Sequence, residues 1–339
     1  MFRGSRRALP CGNESRNSSG KSAIIRIAMT IKRPIRIGIV GFGKIARDQH
    51  VSAIRNNPSF ELTALISRSP PGGDVPAFTS LEEAFAAGLD LDAVAICTPP
   101  DVRLAQCRVA SEHGCAILLE KPPAVTAGDA LALKRMADEA GVPIFASWHS
   151  RFAPMIAQAM AWSEKHSLRR GQINWHEDAR KWHPGQEWLW RQGGFGVFDP
   201  GINALSILTA LYPLPWSVSG SHFDVPENVE MPLSACFTLH AGEARMEAAL
   251  DFRVTAEEVW SIHLEAEGGE TLDLSEGGAA LCINNGPISR AESREYAGLY
   301  QQFAELIRTG ESDFDTSPLE IAEAAFASAK ITKVSPIEI

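Results

Sequence analysis

The sequence predicts two joined architectures: an α/β domain on a parallel, doubly wound sheet, then an α+β domain with a mostly antiparallel sheet whose one face is buried by its own helices. Three observations predict this. Apolar, β-rich runs alternate with helical stretches through the first 147 residues, the pattern of strands linked by crossover helices. The first run, Ile35-Arg36-Ile37-Gly38-Ile39-Val40, ends directly in the glycine turn Gly41-Phe42-Gly43-Lys44-Ile45-Ala46. Beyond Trp148-His149 the period shortens to two, as in strands with one buried face.

Each element follows from local signals. A helix over residues 44–55 stops at Asn56-Asn57-Pro58. Strands follow at 60–67, 93–97, 116–119 and 143–147; the one at 93–97 is closed by Thr98-Pro99-Pro100 and the one at 116–119 leads into Glu120-Lys121-Pro122-Pro123. Thr126 with Asp129 forms a capping box for a helix that places Ala130, Leu133, Ala137 and Ala140 on one face and stops at Gly141. A helix over 154–165 precedes the second domain's strands. In 245–254, Met246, Ala248, Leu250, Phe252 and Val254 point one way and Glu247, Ala249, Asp251 and Arg253 the other, and 260–267 repeats the alternation. Helices are predicted over 296–309 and 318–332, both returning toward the first domain. The resulting division is a first domain at 29–150, a second at 151–317 and a C-terminal helix at 318–339 that returns toward the first. Residues 1–28 read as a disordered basic tail or an overlong start, with Met29 as the alternative start.

Composition narrows the function. The 339 residues are 45% hydrophobic and 22% charged, and the formal charge is −9. That balance argues against nucleic-acid or anionic-membrane partners. No stretch has the apolar length of a membrane span. The six cysteines lack C-x-x-C pairing and read as buried, reduced thiols of a cytoplasmic protein. No His/Asp/Glu cluster has metal-ligand spacing, so no metal is expected.

The glycine turn carries the first chemistry. Gly41 permits the turn, Gly43 lets backbone approach a pyrophosphate, and Ala46 keeps helix against strand. The helix start at Lys44-Ile45 offers free N–H groups and the positive end of the helix dipole to phosphates. A strand–turn–helix of this kind binds a nicotinamide dinucleotide. The next strand ends Ile66-Ser67-Arg68 without an acid. Ser67 can donate to a 2′-phosphate and Arg68 can pair with it, which favours NADP over NAD.

Lys121 stands at the end of a buried strand, where an ammonium beside a cationic nicotinamide ring gives up its proton more readily. Asp199 and Asn203 lie four apart on one helix face, and Asp199-Pro200 also fits an N-cap followed by proline. The Trp-rich stretch 178–190, with Trp182 and His183, offers rings for sugar C–H faces and polar groups for hydroxyls.

Glu120-Lys121-Pro122, Thr98-Pro99-Pro100 and Gly193-Gly194…Asp199-x-Gly201 resemble the glucose–fructose oxidoreductase and inositol dehydrogenase superfamily over residues 36–334. The resemblance implies an N-terminal Rossmann domain and an open-faced C-terminal sheet that could carry a homodimer contact. His176-Glu177-Asp178, Trp182-His183-Pro184 and Asp199-Pro200-Gly201-Ile202-Asn203 are similar, more narrowly, to its aldose 1-dehydrogenases of L-arabinose and D-galactose. By that resemblance Lys121 and Asp199 are catalytic. His149, Glu177, Trp182, His183 and Asn203 join them around the sugar, while Gly41 to Ile45, Ser67, Arg68, Thr98, Pro99, Pro100, Glu120 and Lys121 hold the cofactor. The superfamily often has His where this chain has Asn203, and Arg103 replaces a frequent His and is assigned no role. The alternatives are oxidation at another sugar or cyclitol carbon, or a non-catalytic sugar or cofactor sensor.

Overall fold

The computed structural model describes residues 33–69, 72–255 and 257–338. The basic segment 1–28 and Met29 lie outside the described residues. Strands β1 (Ile35–Val40), β2 (Phe60–Ile66), β3 (Ala77–Phe78), β4 (Ala93–Ile96), β5 (Ala116–Glu120) and β6 (Ile144–Ser147) form one sheet in the order β3-β2-β1-β4-β5-β6. Every pairing in it is parallel. Strand order reverses between β1 and β4, which opens a crevice at their carboxyl ends. β4 and β5 are buried throughout, because helices cover both faces.

Local signals act as read. Gly41 has φ +89°, and a Cβ there would sit 2.7 Å from the Thr98 amide nitrogen. The helix after the turn opens with π pitch over Ala46–His50 and continues as α over Val51–Arg55. Ala46 is fully buried beside β1. Thr126 accepts the Asp129 amide at 3.0 Å and caps helix Ala127–Ala140, which Gly141 closes at φ +68°.

The second sheet has nine strands. They are β7 (Leu168–His176), β8 (Ser217–Pro226), β9 (Ser234–Ala241), β10 (Ala244–Asp251), β11 (Val259–Ala266), β12 (Thr271–Ser275), β13 (Ala280–Ile283), β14 (Ser289–Arg290) and β15 (Lys330–Val334). Their order is β14-β13-β12-β11-β7-β10-β9-β8-β15. The pairs β10–β7 and β15–β8 are parallel and the others antiparallel. Met246, Ala248 and Leu250 are buried as their alternation predicts. Helix Phe198–Leu211 packs on this face, with Phe198 stacked on Phe237 at 5.7 Å. Gly201 allows the approach, since a Cβ there would lie 2.5 Å from Leu250 Cδ1.

Three expectations are corrected. The last helix covers Ser317–Ala327 and does not reach 332; the β-branched run Lys330-Ile331-Thr332-Lys333-Val334 adds β15 to the second sheet. That helix lies mainly on Phe198–Leu211, with Phe326 4.8 Å from Phe198, and reaches the first half through Glu323, which accepts the Ala127 amide at 2.9 Å. Of the two helices expected to return, Glu295–Thr309 does so, covering one face of the first sheet with Tyr296, Leu299, Tyr300, Phe303 and Ile307. The five described cysteines are free but not all buried: Cys107 and Cys115 are, whereas Cys236 is exposed.

Gly41→Ala forces a side chain into both a left-handed backbone and the Thr98 amide. We expect a loss of about 1–3 kcal/mol in urea unfolding. Unchanged stability would show that the turn relaxes without cost.

Candidate active site

A cleft of about 1520 Å³ runs from the glycine turn, past the carboxyl ends of β4, β5 and β6, to the loop after β7. Gly43, Lys44, Ile45, Thr98, Pro99, Glu120 and Lys121 line one end, and His149, Glu177, Trp182, His183, Asp199 and Asn203 the other. A Cβ at Gly43 would meet nothing within 4 Å, so backbone is open to a close ligand there. This arrangement fits a dinucleotide laid over the turn. Gly41, Phe42 and Pro100 stand behind the lining: Gly41 bonds Ile66, Phe42 packs on the first core, and Pro100 is buried. Ser67 and Arg68 follow β2, outside the cleft wall, with Arg68 exposed.

Lys121 is held in place by its neighbour across the cleft. Its Nζ donates to the Asp199 carbonyl at 2.8 Å and to Asp199 Oδ1 at 3.1 Å. The Asp199 carboxylate is buried, and its Oδ2 faces His183 Nδ1 at 3.7 Å. His183 Nε2 meets Glu177 Oε1 at 2.9 Å, and Glu177 Oε2 accepts the Trp260 indole N–H at 3.2 Å. A continuous polar chain therefore links Lys121, Asp199, His183, Glu177 and Trp260. Burial lowers the His183 pKa, but the Glu177 bond and the Asp199 charge outweigh it and raise it.

This arrangement corrects the capping expectation. The helix begins at Phe198 after Val197, and no side chain caps it. Asp199 is already inside the first turn, and its carboxylate is directed to Lys121 and His183. One turn on, Asn203 Oδ1 is buried with no partner among the described residues. A buried amide oxygen left in that state favours a ligand donor.

The aromatic wall is broader than the sequence implied. Trp182, 37% exposed, stands edge-on to Trp260 at 5.7 Å and donates its N–H to Glu258 at 2.5 Å. Trp188 also lines the cleft, whereas Trp190 is buried against Phe252 at 5.7 Å. Trp175 and Trp260 were not foreseen, since both lie inside strands where an aromatic reads as packing.

Two further groups escaped sequence reasoning. Arg103 is buried and clamps the loops after β4 and β5 to each other. Its guanidinium donates to the Thr98 carbonyl at 2.9 and 2.6 Å, to the Pro122 carbonyl at 2.5 Å, and to the Glu120 carbonyl. The second is the network around Glu120. Glu120 Oε1 accepts from Tyr296 at 2.7 Å and meets His50 Nε2 at 3.0 Å, while Oε2 accepts the Lys121 amide at 2.9 Å. His50 Nδ1 meets the Tyr300 hydroxyl at 2.6 Å. No local spacing could reveal partners 176 positions apart. Burial opposes both charges. For Glu120 the His50 contact overcomes it and holds the carboxyl at about 2; for His50 the Cys97 sulfur and Glu120 raise the imidazole to about 10.

Residues 35–147 match the model of an oxidoreductase family with an NAD-binding Rossmann fold. The chain is 43% identical over 305 residues to galactose 1-dehydrogenase of Pseudomonas fluorescens, covering 88% of this chain and 98% of that one. It superposes on the crystal structure of D-galactose-1-dehydrogenase from Rhizobium etli with a TM-score of 0.85 at 38% identity, covering 91% of this chain and 99% of that one. A 3-ketoreductase from Actinomadura kijaniata, solved with NADP and TDP-benzene, shares the fold at TM-score 0.77 and 16% identity, covering 89% and 100%.

The Glu120–His50 pair sets the expected pH response. A carboxyl held near 2 against an ordinary 4.5 stabilises the fold above 4.5 and loses that contribution as pH falls toward 2. An imidazole raised from 6.5 to about 10 stabilises below 6.5 and loses its contribution as pH rises through 10. Glu120→Gln should therefore be less stable at neutral pH and lose less stability on acidification. Melting temperatures between pH 2 and 7 test this; an acid limb as steep as that of the unaltered chain would acquit Glu120.

Proposed function

Because this chain belongs to the oxidoreductase family of the glucose–fructose oxidoreductase and inositol dehydrogenase type, and is an NAD(P)-dependent oxidoreductase acting on CH–OH groups, we propose that it is an aldose 1-dehydrogenase converting L-arabinose- and D-galactose-type pyranoses to aldonolactones. The carrying observation is the Lys121–Asp199 pair, set between the dinucleotide turn and the aromatic wall.

The bound nicotinamide ring supplies the acceptor for the hydride from sugar C1. The protein's task is the hydroxyl proton. Lys121 and Asp199 form one hydrogen-bonded unit that can take it, and His183 beside Asp199 Oδ2 stabilises the carboxylate as charge shifts. Asn203 offers its unpartnered amide oxygen to a sugar hydroxyl. Trp182 supplies a ring for a sugar face, and His149 and Glu177 complete the polar lining. Ser67 and Arg68 support NADP over NAD, since the strand end offers a hydroxyl and a guanidinium and no acid. The free thiols support a cytoplasmic location, and the uncovered polar face of the second sheet supports a homodimer.

Lys121→Ala should lower kcat by about two orders of magnitude or more, the usual weight of a positioned acid–base group, with dinucleotide binding retained. Near-normal turnover would remove Lys121 from the chemistry.

The substrate reading is tested by NADP and NAD reduction across a panel of aldoses and cyclitols. L-Arabinose, D-galactose and D-fucose share their pyranose configuration at C2, C3 and C4, so all three should turn over, faster with NADP. D-Glucose inverts C4 and would leave a buried partner unpaired, a mismatch that hydrogen-bonding sites reject strongly. Activity on myo-inositol alone would overturn the aldose assignment, and silence across the panel with NADP bound would point to a sensor.

A further inference from the structure

We infer that Glu295 is a positioning residue that fixes the tautomer of His149, so that the imidazole presents an unprotonated Nε2 to a sugar hydroxyl in the cleft. The inference rests on the aldose reading for the identity of the hydroxyl, but not for the tautomer.

Contacts on one face and at Nδ1 hold the ring. His149 follows β6 and lies face to face with Tyr296, ring centres 5.3 Å apart and planes inclined by 20°. The Tyr296 hydroxyl is anchored on Glu120, so the stacking surface does not turn. Glu295 Oε2 meets His149 Nδ1 at 2.5 Å. The other carboxylate oxygen accepts from Ser293 Oγ at 3.2 Å, which orients the group. Nε2 has no partner among the described residues and is not buried, so it opens into the cleft that His149 lines.

An ionised carboxylate can only accept hydrogen bonds. Facing Glu295, Nδ1 must carry the proton, and a neutral ring then leaves the Nε2 lone pair free. A competitor stands nearby: Ser150 Oγ lies 3.4 Å from the same Nδ1. A serine hydroxyl can donate as well as accept. Without Glu295, Ser150 can donate to a bare Nδ1 and the proton moves to Nε2, where the ring would present a donor to the sugar in place of an acceptor. The carboxylate therefore decides which partner the cleft offers. The same logic orients catalytic histidines in hydrolase triads, where a carboxylate on one ring nitrogen defines the role of the other.

The test is nitrogen NMR of the protein with 15N-labelled histidine, the His149 signal assigned by its loss in His149→Gln, alongside steady-state kinetics. In the unaltered chain at neutral pH, His149 should show a protonated Nδ1 and an unprotonated Nε2. In Glu295→Ala the two should exchange character, and KM for the sugar should rise about tenfold or more, the loss of one charge-supported contact, while KM for the dinucleotide stays the same. Glu295→Asp, which keeps an acceptor-only group, should recover part of the sugar KM. If Glu295→Ala does not fold, Glu295→Leu keeps the bulk, removes every acceptor and carries the same two readouts. A proton on Nε2 in the unaltered chain, a doubly protonated ring, or a variant whose tautomer and sugar KM match the parent would each overturn the inference. Failure of the whole sugar panel would end the aldose reading and leave the tautomer measurement to stand or fall by itself.

Discussion

The active-site architecture depends on one buried carboxylate. Glu120 accepts from Tyr296 and from the Lys121 amide and meets His50, and these three groups belong to three separate parts of the chain: the long helix near the C-terminus, the end of β5 and the helix behind the glycine turn. Burying a charge is costly unless it is paired and hydrogen-bonded. Here the partners answer that cost, and the same contacts fix the backbone from which Lys121 projects. Glu120 thus bears on the cleft indirectly, by removing freedom from the backbone that carries Lys121.

Arg103 complements it from the other side. Its guanidinium has carbonyls for hydrogen-bond acceptors, drawn from the loops after β4 and β5. A planar fork of five donors can hold several carbonyls at once, where an ammonium would offer a point charge. Loops that cradle a ligand are then as well fixed as strands. Cationic Arg103 and anionic Glu120 lie on opposite sides of one peptide, and that peptide carries the lysine.

Much of this was legible in the sequence, for a physical reason. The parallel sheet, the glycine turn, the Thr126 cap and the alternation in β10 are each set by contacts a few residues long, and such contacts leave a periodic or compositional mark. Lys121, Asp199, His183 and Glu177 were legible as a group only through resemblance, since they come from β5, a buried helix and the segment after β7. What stayed hidden has one character. Tyr296, His50, Trp260 and Arg103 take their meaning from partners far away in sequence, and each also reads well as an ordinary helix or strand residue. The cap assigned to Asp199 failed similarly: Asp-Pro is a good local start signal, but the helix begins two residues earlier and the lysine across the cleft claims the carboxylate. At the C-terminus, a helical pattern was carried through a β-branched run that an open sheet edge captures.

The return helix Glu295–Thr309 bears on how the chain is made. Tyr296, Leu299, Tyr300, Phe303 and Ile307 fill one face of the first sheet, yet they are synthesised after almost the whole of the second. During synthesis the six-stranded sheet keeps an apolar face open until residue 309 has been made. A nascent chain in that state is a substrate for chaperones, and a fragment cut after β6 would carry the nucleotide turn but expose a face prone to aggregation. The first sheet closes its core with a segment that most of the second sheet's strands precede.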